Sequence, residues 1–425
     1  GEERRGNCGR GYSGTDEERG IKMLKHLEVN NFKSLVGFKV DFGSTSVIVG
    51  NNAVGKSTVL QAIEFFFGAV KEDFGIMLER HSWNVSNVKS KLISSPKMSF
   101  SCDIDLETEG KVHSYHWSMS LEVKVGDDEL KLLSESVDMD GNQLFEYSAK
   151  SKIYSAVTDD GNEQIIIPLV FTSSVMKQIG RNYSGEDLRQ FIAYIENFDS
   201  FEMLSPGAMR LSSRGSGTTI GMSGQNLPSF IRQMNQEEKN RFGNKLRNLL
   251  DNKVSDIEAE TKGKPGWTQI RITENYGDKK ISFNSKEMSD GMLRMLAFVA
   301  ISEIRKPDAV MLLDEVENGI NISYAEKLMN IFRSMYQDNR HQIIMTTHST
   351  VFLDYVEPEN IIYLYRDHDG ATKAVSLFRN EEMKKKLDYM WPGEVLLNMS
   401  QSEIVENILR NEENPDLVVN EEKSE

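Results

Sequence analysis

The spacing of apolar residues changes along the chain, and each change marks an element. Residues 24–32 and 36–42 read as two strands. In the second, Val36, Phe38, Val40 and Phe42 alternate with polar or small residues, so one face is buried. Val47, Ile48 and Val49 make a short strand with no polar face. After a Gly-containing turn, Val59, Ile63, Phe66 and Val70, widened by Leu60 and Phe67, form one stripe of a helix. Residues 71–97 carry no clean period and read as a mobile loop that could face a ligand. Alternation then becomes strict. Met98, Phe100, Cys102, Ile104 and Leu106 share one face, and Tyr115, Trp117, Met119, Leu121 and Val123 share the next, as in an antiparallel sheet with one wet side. Residues 138–142 and 159–162 read as turns. Residues 165–171 are strand-like, with Pro168 favouring an edge or a break.

Residues 184–205 and 228–260 carry helical patterns, the second through Ile231, Met234, Phe242, Leu246 and Leu249. The Gly- and Ser-rich stretch between them, with Arg210 and Arg214, reads as a long surface loop. Heptads are not sustained, which argues against a long coiled-coil arm, and no internal repeat is visible. Strands return at Ile270, Ile272, Ile281 and Phe283, followed by a helical run through Leu293, Leu296, Ala297, Ala300 and Ile304. The expected division is an arm over 1–22, which could also be sequence upstream of a natural start at Met23, and an N-terminal lobe with antiparallel β subdomain over 23–175. A helical insert follows over 176–265, then a C-terminal lobe over 266–400 and an acidic tail over 401–425.

The turn after Val49 carries the chemistry. Gly50-Asn51-Asn52-Ala53-Val54-Gly55-Lys56-Ser57, followed by Thr58, fits G-x-x-x-x-G-K-[ST] at every fixed position. Gly50 and Gly55 let the backbone fold around phosphates with its N–H groups pointing inward. Lys56 brings a cation to the β- and γ-phosphates, the Ser57 hydroxyl suits Mg²⁺, and the helix start adds its dipole. The order strand, loop, helix is the one the motif needs. Residues 307–315 form an apolar run ending in Asp314-Glu315, the Walker B form: Asp314 suits Mg²⁺ opposite Ser57, and Glu315 can polarise the attacking water. Ser289-Asp290-Gly291 opens the helix at 293–304, with Ser289 as N-cap. His348 ends a strand at 342–347. Residues 365–370 offer Asp367-x-Asp369, which reads as a hairpin turn.

Composition narrows the classes. A chain of 425 residues can bury a large core. No stretch approaches a membrane span, and the N-terminus lacks an apolar signal core. Two cysteines, Cys8 and Cys102, support neither a disulfide framework nor a cysteine zinc site, so a reducing, cytoplasmic setting fits. A net charge of −15 argues against a surface coated in positive charge for nucleic acid, while leaving room for one basic groove. Arg232, Lys239, Arg241, Lys245 and Arg247 on one helix are the candidates for it, against the plainer reading of a solvated face.

The ordered set Gly50–Ser57, Ser289–Gly291, Asp314–Glu315 and His348 resembles the ABC-type ATPase heads of the SMC, RecF and overcoming-lysogenization-defect (OLD) groups. Asn30-Asn31-Phe32-Lys33-Ser34 resembles the opening of those heads, and Glu315-Val316-Glu317-Asn318-Gly319-Ile320 their segment after Walker B, with Val316 in the proline position and Asn321 where a histidine would stand. The resemblance implies an α/β ATPase head with a mixed sheet around the P-loop, an antiparallel β subdomain and a helical insert. It implies ATP and Mg²⁺ as cofactors, Lys33 and Ser34 beside the nucleotide, His348 as the switch histidine, and Ser289–Gly291 closing on the γ-phosphate of a partner copy. A homodimer or higher homo-oligomer is then expected. Gln178 is the candidate for the Q-loop glutamine. The heads without a long coiled coil suggest a nucleotide-gated ATPase of anti-phage defence or toxin–antitoxin type, controlling a separate nuclease or toxin. A RecF-like repair ATPase binding DNA is the alternative.

Overall fold

The computed structural model describes residues 22–166, 171–180, 182, 184–215, 217–261, 263, 266–306, 308–379 and 381–413. The arm expected over 1–22, except Lys22, lies outside the described residues, as do Cys8, Pro168, Pro307 and residues 414–425 of the acidic tail.

At the centre is a six-stranded sheet in the order Asp199–Phe201, Val310–Leu313, Gln342–Thr346, Thr45–Val49, Ile361–Arg366, Thr372–Ser376. The first five strands run parallel and the last antiparallel to its neighbour. Every residue of Val310–Leu313, Gln342–Thr346 and Thr45–Val49 is buried, which explains their lack of alternation: both faces are covered. Period two still sorts the side chains. Ile48, Val310, Leu312, Ile344 and Ile362 join the core of the P-loop helix Lys56–Gly68. Val47, Val49, Met311, Leu313, Ile343 and Met345 join the opposite core with helices Asp290–Ile301 and Ala325–Asn339.

An eight-stranded antiparallel sheet begins with Phe38–Asp41 and Lys22–Asn30, continues through Lys97–Thr108, and runs to Gly161–Ile166. Its apolar face receives the P-loop helix, with Phe66 stacked on Trp117 at 3.8 Å between ring centres. A three-stranded sheet, Val254–Thr261, Thr268–Tyr276 and Lys279–Asn284, flanks the second core with helices Leu227–Gln233 and Gln236–Leu249.

Several expectations change. Residues 71–97 are not one loose loop: helices Phe74–Arg80 and Val85–Val88 bury Phe74, Val85 and Val88, anchors too few and too broken in spacing to show a period. The helical reading of 228–260 ends at Leu249, because Asp251 and Asn252 take left-handed backbone (φ 54 and 60), and 254–261 is a strand. Inside the expected helix at 184–205, Glu186–Glu196 is helical, but Asp199–Phe201 becomes the edge of the central sheet. Residues 401–413, expected as the start of a tail, form a helix whose Ile404 is buried. Phe32, beside the Lys33 and Ser34 expected at the nucleotide, is fully buried against Phe65 and Phe100. Among the described residues no helix is long and apolar enough to cross a membrane.

Candidate functional site

The strand Thr45–Val49 delivers the chain into a loop over residues 50–55, and the helix starts at Lys56. The two motif glycines are demanded by close approach. A Cβ on Gly50 would lie 2.5 Å from the Leu364 carbonyl oxygen, and one on Gly55 would lie 2.6 Å from Thr372 Oγ1. Gly55 also has φ 108, a conformation that side chains resist. Lys56 Nζ donates across the loop to the carbonyl oxygens of Gly50 and Asn51 at 2.9 and 3.0 Å. Burial lowers the pKa of this ammonium, while Asp314, Glu315 and Glu317 oppose that shift. Asn51, Asn52 and Ala53 are exposed, so the loop's outer rim is open to a ligand. A shallow pocket beside the rim is lined by Gly50, Asn51, Thr347 and His348, with Gln401 and Ile404 of the C-terminal helix as its far wall. Asn51 Nδ2 donates to Gln401 Oε1 at 2.5 Å.

The loop is braced from behind by residues the sequence did not single out. Arg366 donates through Nε and Nη2 to the Ala53 carbonyl at 3.2 and 2.8 Å, and Thr372 Oγ1 donates to the Val54 carbonyl at 2.7 Å. Ser34 Oγ pairs with Thr372 Oγ1 at 2.8 Å, which places Ser34 directly behind Gly55. Lys33 turns elsewhere. Its ammonium lies 3.4 Å from the centre of the Trp83 ring and donates to Gln61 Oε1 at 2.6 Å. Burial pulls its pKa down to about 8.

Asp314 follows the strand Val310–Leu313, beside the end of Gln342–Thr346. Thr346 ties the two acids together: its hydroxyl donates to Asp314 Oδ1 and accepts the Glu315 N–H at 2.9 Å. Glu315 has φ 46, a strained conformation for a residue with a side chain, held by that bond. Its Oε1 lies 3.9 Å from His348 Nε2. Asp314, Glu315 and His348 are therefore gathered at neighbouring strand ends, with Ser57 in the first turn of the P-loop helix.

Ser289 caps the helix Asp290–Ile301 by accepting the Met292 N–H at 3.2 Å. Ser289 and Asp290 are exposed. Gly291 is buried, and a Cβ there would lie 2.2 Å from the Gly319 carbonyl oxygen. Arg210 donates to the Met288 carbonyl at 3.0 Å and to the Asp290 carboxylate. An open pocket lies beside this helix start, with Tyr276, Asn321 and Tyr324 on its walls.

Gln61 and Glu202 form a polar pair between the P-loop helix and the edge of the central sheet. Gln61 stands one turn beyond Ser57 on the same helix and donates to Glu202 Oε1 at 2.7 Å. Burial, Glu64 and Asp314 push the Glu202 carboxyl up to about 8, against the hydrogen bond from Gln61 and the charge of Lys33. The i+4 spacing from Ser57 was the one sequence signal for Gln61; Glu202 was hidden in a segment read as helix. Gln178 lies in a separate single turn, Met176–Gly180.

Residues 147–354 match the AAA-domain family model labelled AbiEii toxin, Type IV TA system, and residues 23–109 match an AAA ATPase domain model. An ATP/GTP phosphatase of Helicobacter pylori (strain ATCC 700392 / 26695) is 21% identical over 376 residues, covering 85% of this chain and 94% of that protein. An OLD nuclease of Thermus scotoductus (strain ATCC 700910 / SA-01) is 44% identical over 48 residues, 11% of this chain and 9% of that protein. Among solved structures, an SMC head bound to the C-winged helix domain of ScpA aligns with 83% of this chain and 96% of its own, at 15% identity and a TM-score of 0.48.

Proposed function

Because the chain is an AAA ATPase of the SMC, RecF and OLD-like kind, we propose that two copies close on each ATP·Mg²⁺ and that the nucleotide state governs a separate effector, a nuclease or toxin, in anti-phage defence. In this reading the backbone N–H groups of 50–55 and Lys56 hold the phosphates, and Ser57 and Asp314 hold Mg²⁺. The donor set fits that ion: a hydroxyl and a carboxylate are hard oxygen ligands. Mg²⁺ supplies charge neutralisation of the β- and γ-phosphates. Glu315 takes a proton from the attacking water, and His348, 3.9 Å away, holds that water's other side and contacts the γ-phosphate.

The observation that carries the dimer is the exposed helix start at Ser289–Asp290. Its dipole, with Ser289 and Asp290 exposed at its start, can meet an anion from outside the subunit, and Gly291 seats it on Gly319, five residues past Asp314. A γ-phosphate arriving there would join two copies, and its loss on hydrolysis would release them. The defence role is supported by the AbiEii toxin label of the matching family and by the OLD nuclease relative.

DNA binding finds less support. The basic positions expected on one helix fall on two, Arg232 on Leu227–Gln233 and the others on Gln236–Leu249, because the chain leaves the helix at Met234; Arg241 pairs with Glu237 and Glu303, Lys245 pairs with Glu303, and Arg232 donates to Thr268, so these three are occupied within the fold.

Light scattering on Glu315→Gln tests the proposal. ATP should convert it to a stable dimer or larger assembly, and ADP should not; a monomer in both would overturn the shared-site reading.

A further inference from the structure

The last described helix begins on the phosphate loop. Asn51 Nδ2 donates to the side-chain oxygen of Gln401, the first residue of the helix Gln401–Glu413. Gln401 and Ile404 close one side of the pocket whose other side is Gly50, Asn51, Thr347 and His348. In the reading above, this is the mouth where His348 meets a γ-phosphate and where a second copy approaches. One helix start therefore borders that mouth and occupies one of its amide donors.

The contact is suited to coming apart. The helix start is stabilised by its own residues: the Ser400 N–H and hydroxyl donate to Glu403 Oε2 at 2.6 and 2.7 Å, and the Glu403 N–H donates to Ser400 Oγ at 3.3 Å. This cap is local, so the helix does not need the loop in order to form. Over residues 401–407 Ile404 is the one buried side chain; Gln401, Val405 and Asn407 are half-buried, and Ser402, Glu403 and Glu406 are exposed. So few buried contacts leave the helix among the parts of a fold that open most readily. Charge acts in the same direction. Residues 401–425 carry eight acidic side chains against Arg410 and Lys423. They extend from a loop whose Lys56 and helix start attract anions. The empty loop attracts this segment, and a triphosphate seated there repels it.

We propose that the helix Gln401–Glu413 is an autoinhibitory strap on the phosphate loop. Without nucleotide it holds Asn51 and narrows the approach to His348. Triphosphate takes over the Asn51 amide and repels the acidic segment, and the strap lifts to let a second copy close. The inference rests on the nucleotide reading above. The competing account makes the helix a fixed wall that braces the loop in every state.

Hydrogen exchange on the full chain, with and without a non-hydrolysable ATP analogue and Mg²⁺, separates the two. Bound analogue should slow exchange over residues 50–57 and speed it about 10-fold over residues 404–413. Unchanged or slower exchange over 404–413, with 50–57 slowed, would overturn the strap alone. No slowing over 50–57 at any analogue concentration would overturn the nucleotide reading as well. Gln401→Ala removes the tie and leaves the helix in place. It should bind the analogue about 3- to 10-fold more tightly than wild type, at an unchanged melting temperature. Weaker binding by Gln401→Ala would show that the helix braces the loop, and would also overturn the strap.

Discussion

Glu317 accepts the backbone N–H of His348 at 2.6 Å through one carboxylate oxygen, and the Thr347 hydroxyl at 2.7 Å through the other. The turn after Walker B thus clamps the turn that presents the histidine, and Thr346 makes the return connection to Asp314 and Glu315. The acids and His348 are set by one hydrogen-bonded unit spanning two neighbouring strand ends.

Breaking that unit should separate catalysis from binding. In Glu317→Ala the His348 N–H and the Thr347 hydroxyl lose a charged acceptor, a change of about 1.5–3 kcal/mol in positioning. The turnover number for ATP should fall about 10- to 100-fold, with ATP affinity nearly unchanged. Phosphate release and equilibrium binding measured on the same protein check this; an equal loss in both would mean that Glu317 supports the whole loop.

Gly291 tests the seat of the capped helix. An added Cβ meets the Gly319 carbonyl at 2.2 Å, and neither backbone can yield without shifting the helix start. Gly291→Ala should cost about 1–3 kcal/mol of stability. It should also abolish the ATP-dependent assembly of a Glu315→Gln protein at concentrations where Glu315→Gln alone assembles. Denaturant melts and light scattering read the two effects.

The P-loop stores strain that can be relieved or released. Ala53 sits at φ 63, and glycine takes that conformation without a Cβ clash, so Ala53→Gly should raise stability by up to about 1 kcal/mol. Arg366→Ala removes both donors to the Ala53 carbonyl and should weaken ATP binding about 10-fold. Calorimetric titration with ATP would expose a wild-type affinity, and with it an error in the bracing role.

Glu135 should make stability depend on pH. It is almost fully buried, and burial pushes its carboxyl from the ordinary 4.5 up to about 7, against donors from Ser174, Val175 and Trp117. The folded state therefore holds this proton more tightly than the unfolded chain does. That contribution is complete below pH 4.5 and is lost as pH rises from 4.5 to about 7, amounting to about 3 kcal/mol. Glu135→Gln should flatten the stability profile across that window. Urea unfolding at several pH values measures it, and identical slopes for the two proteins would count against the assignment.

Much of the site was legible because its parts are local. Gly50–Ser57 is one turn of chain, and its glycines are forced by backbone curvature and close approach. The strand before it and the helix after it announce themselves by period. Asp314, Glu315 and His348 could be ordered for a similar reason: buried parallel strands are unbroken apolar runs, and polar residues at their ends stand out. The departures lie where long-range contact overrides local pattern. Residues 199–201 are too short to show a period and became a strand because the edge of Val310–Leu313 was available for pairing. Residues 254–261 left the helix because Asp251 and Asn252 turned the chain toward Thr268–Tyr276.

By itself the sequence determined the strand–loop–helix form of the Gly50–Ser57 segment, the acids that end the Val310–Leu313 strand and the alternation of the antiparallel sheet, since each depends on residues close together in the chain. The tertiary structure alone decided which distant side chains serve that loop. Arg366 and Thr372 reach it across the sheet, Glu317 reaches the histidine turn, and Glu202 comes to stand beside Asp314, because hydrogen-bond registry between strands sets those neighbours and no spacing along the chain encodes it.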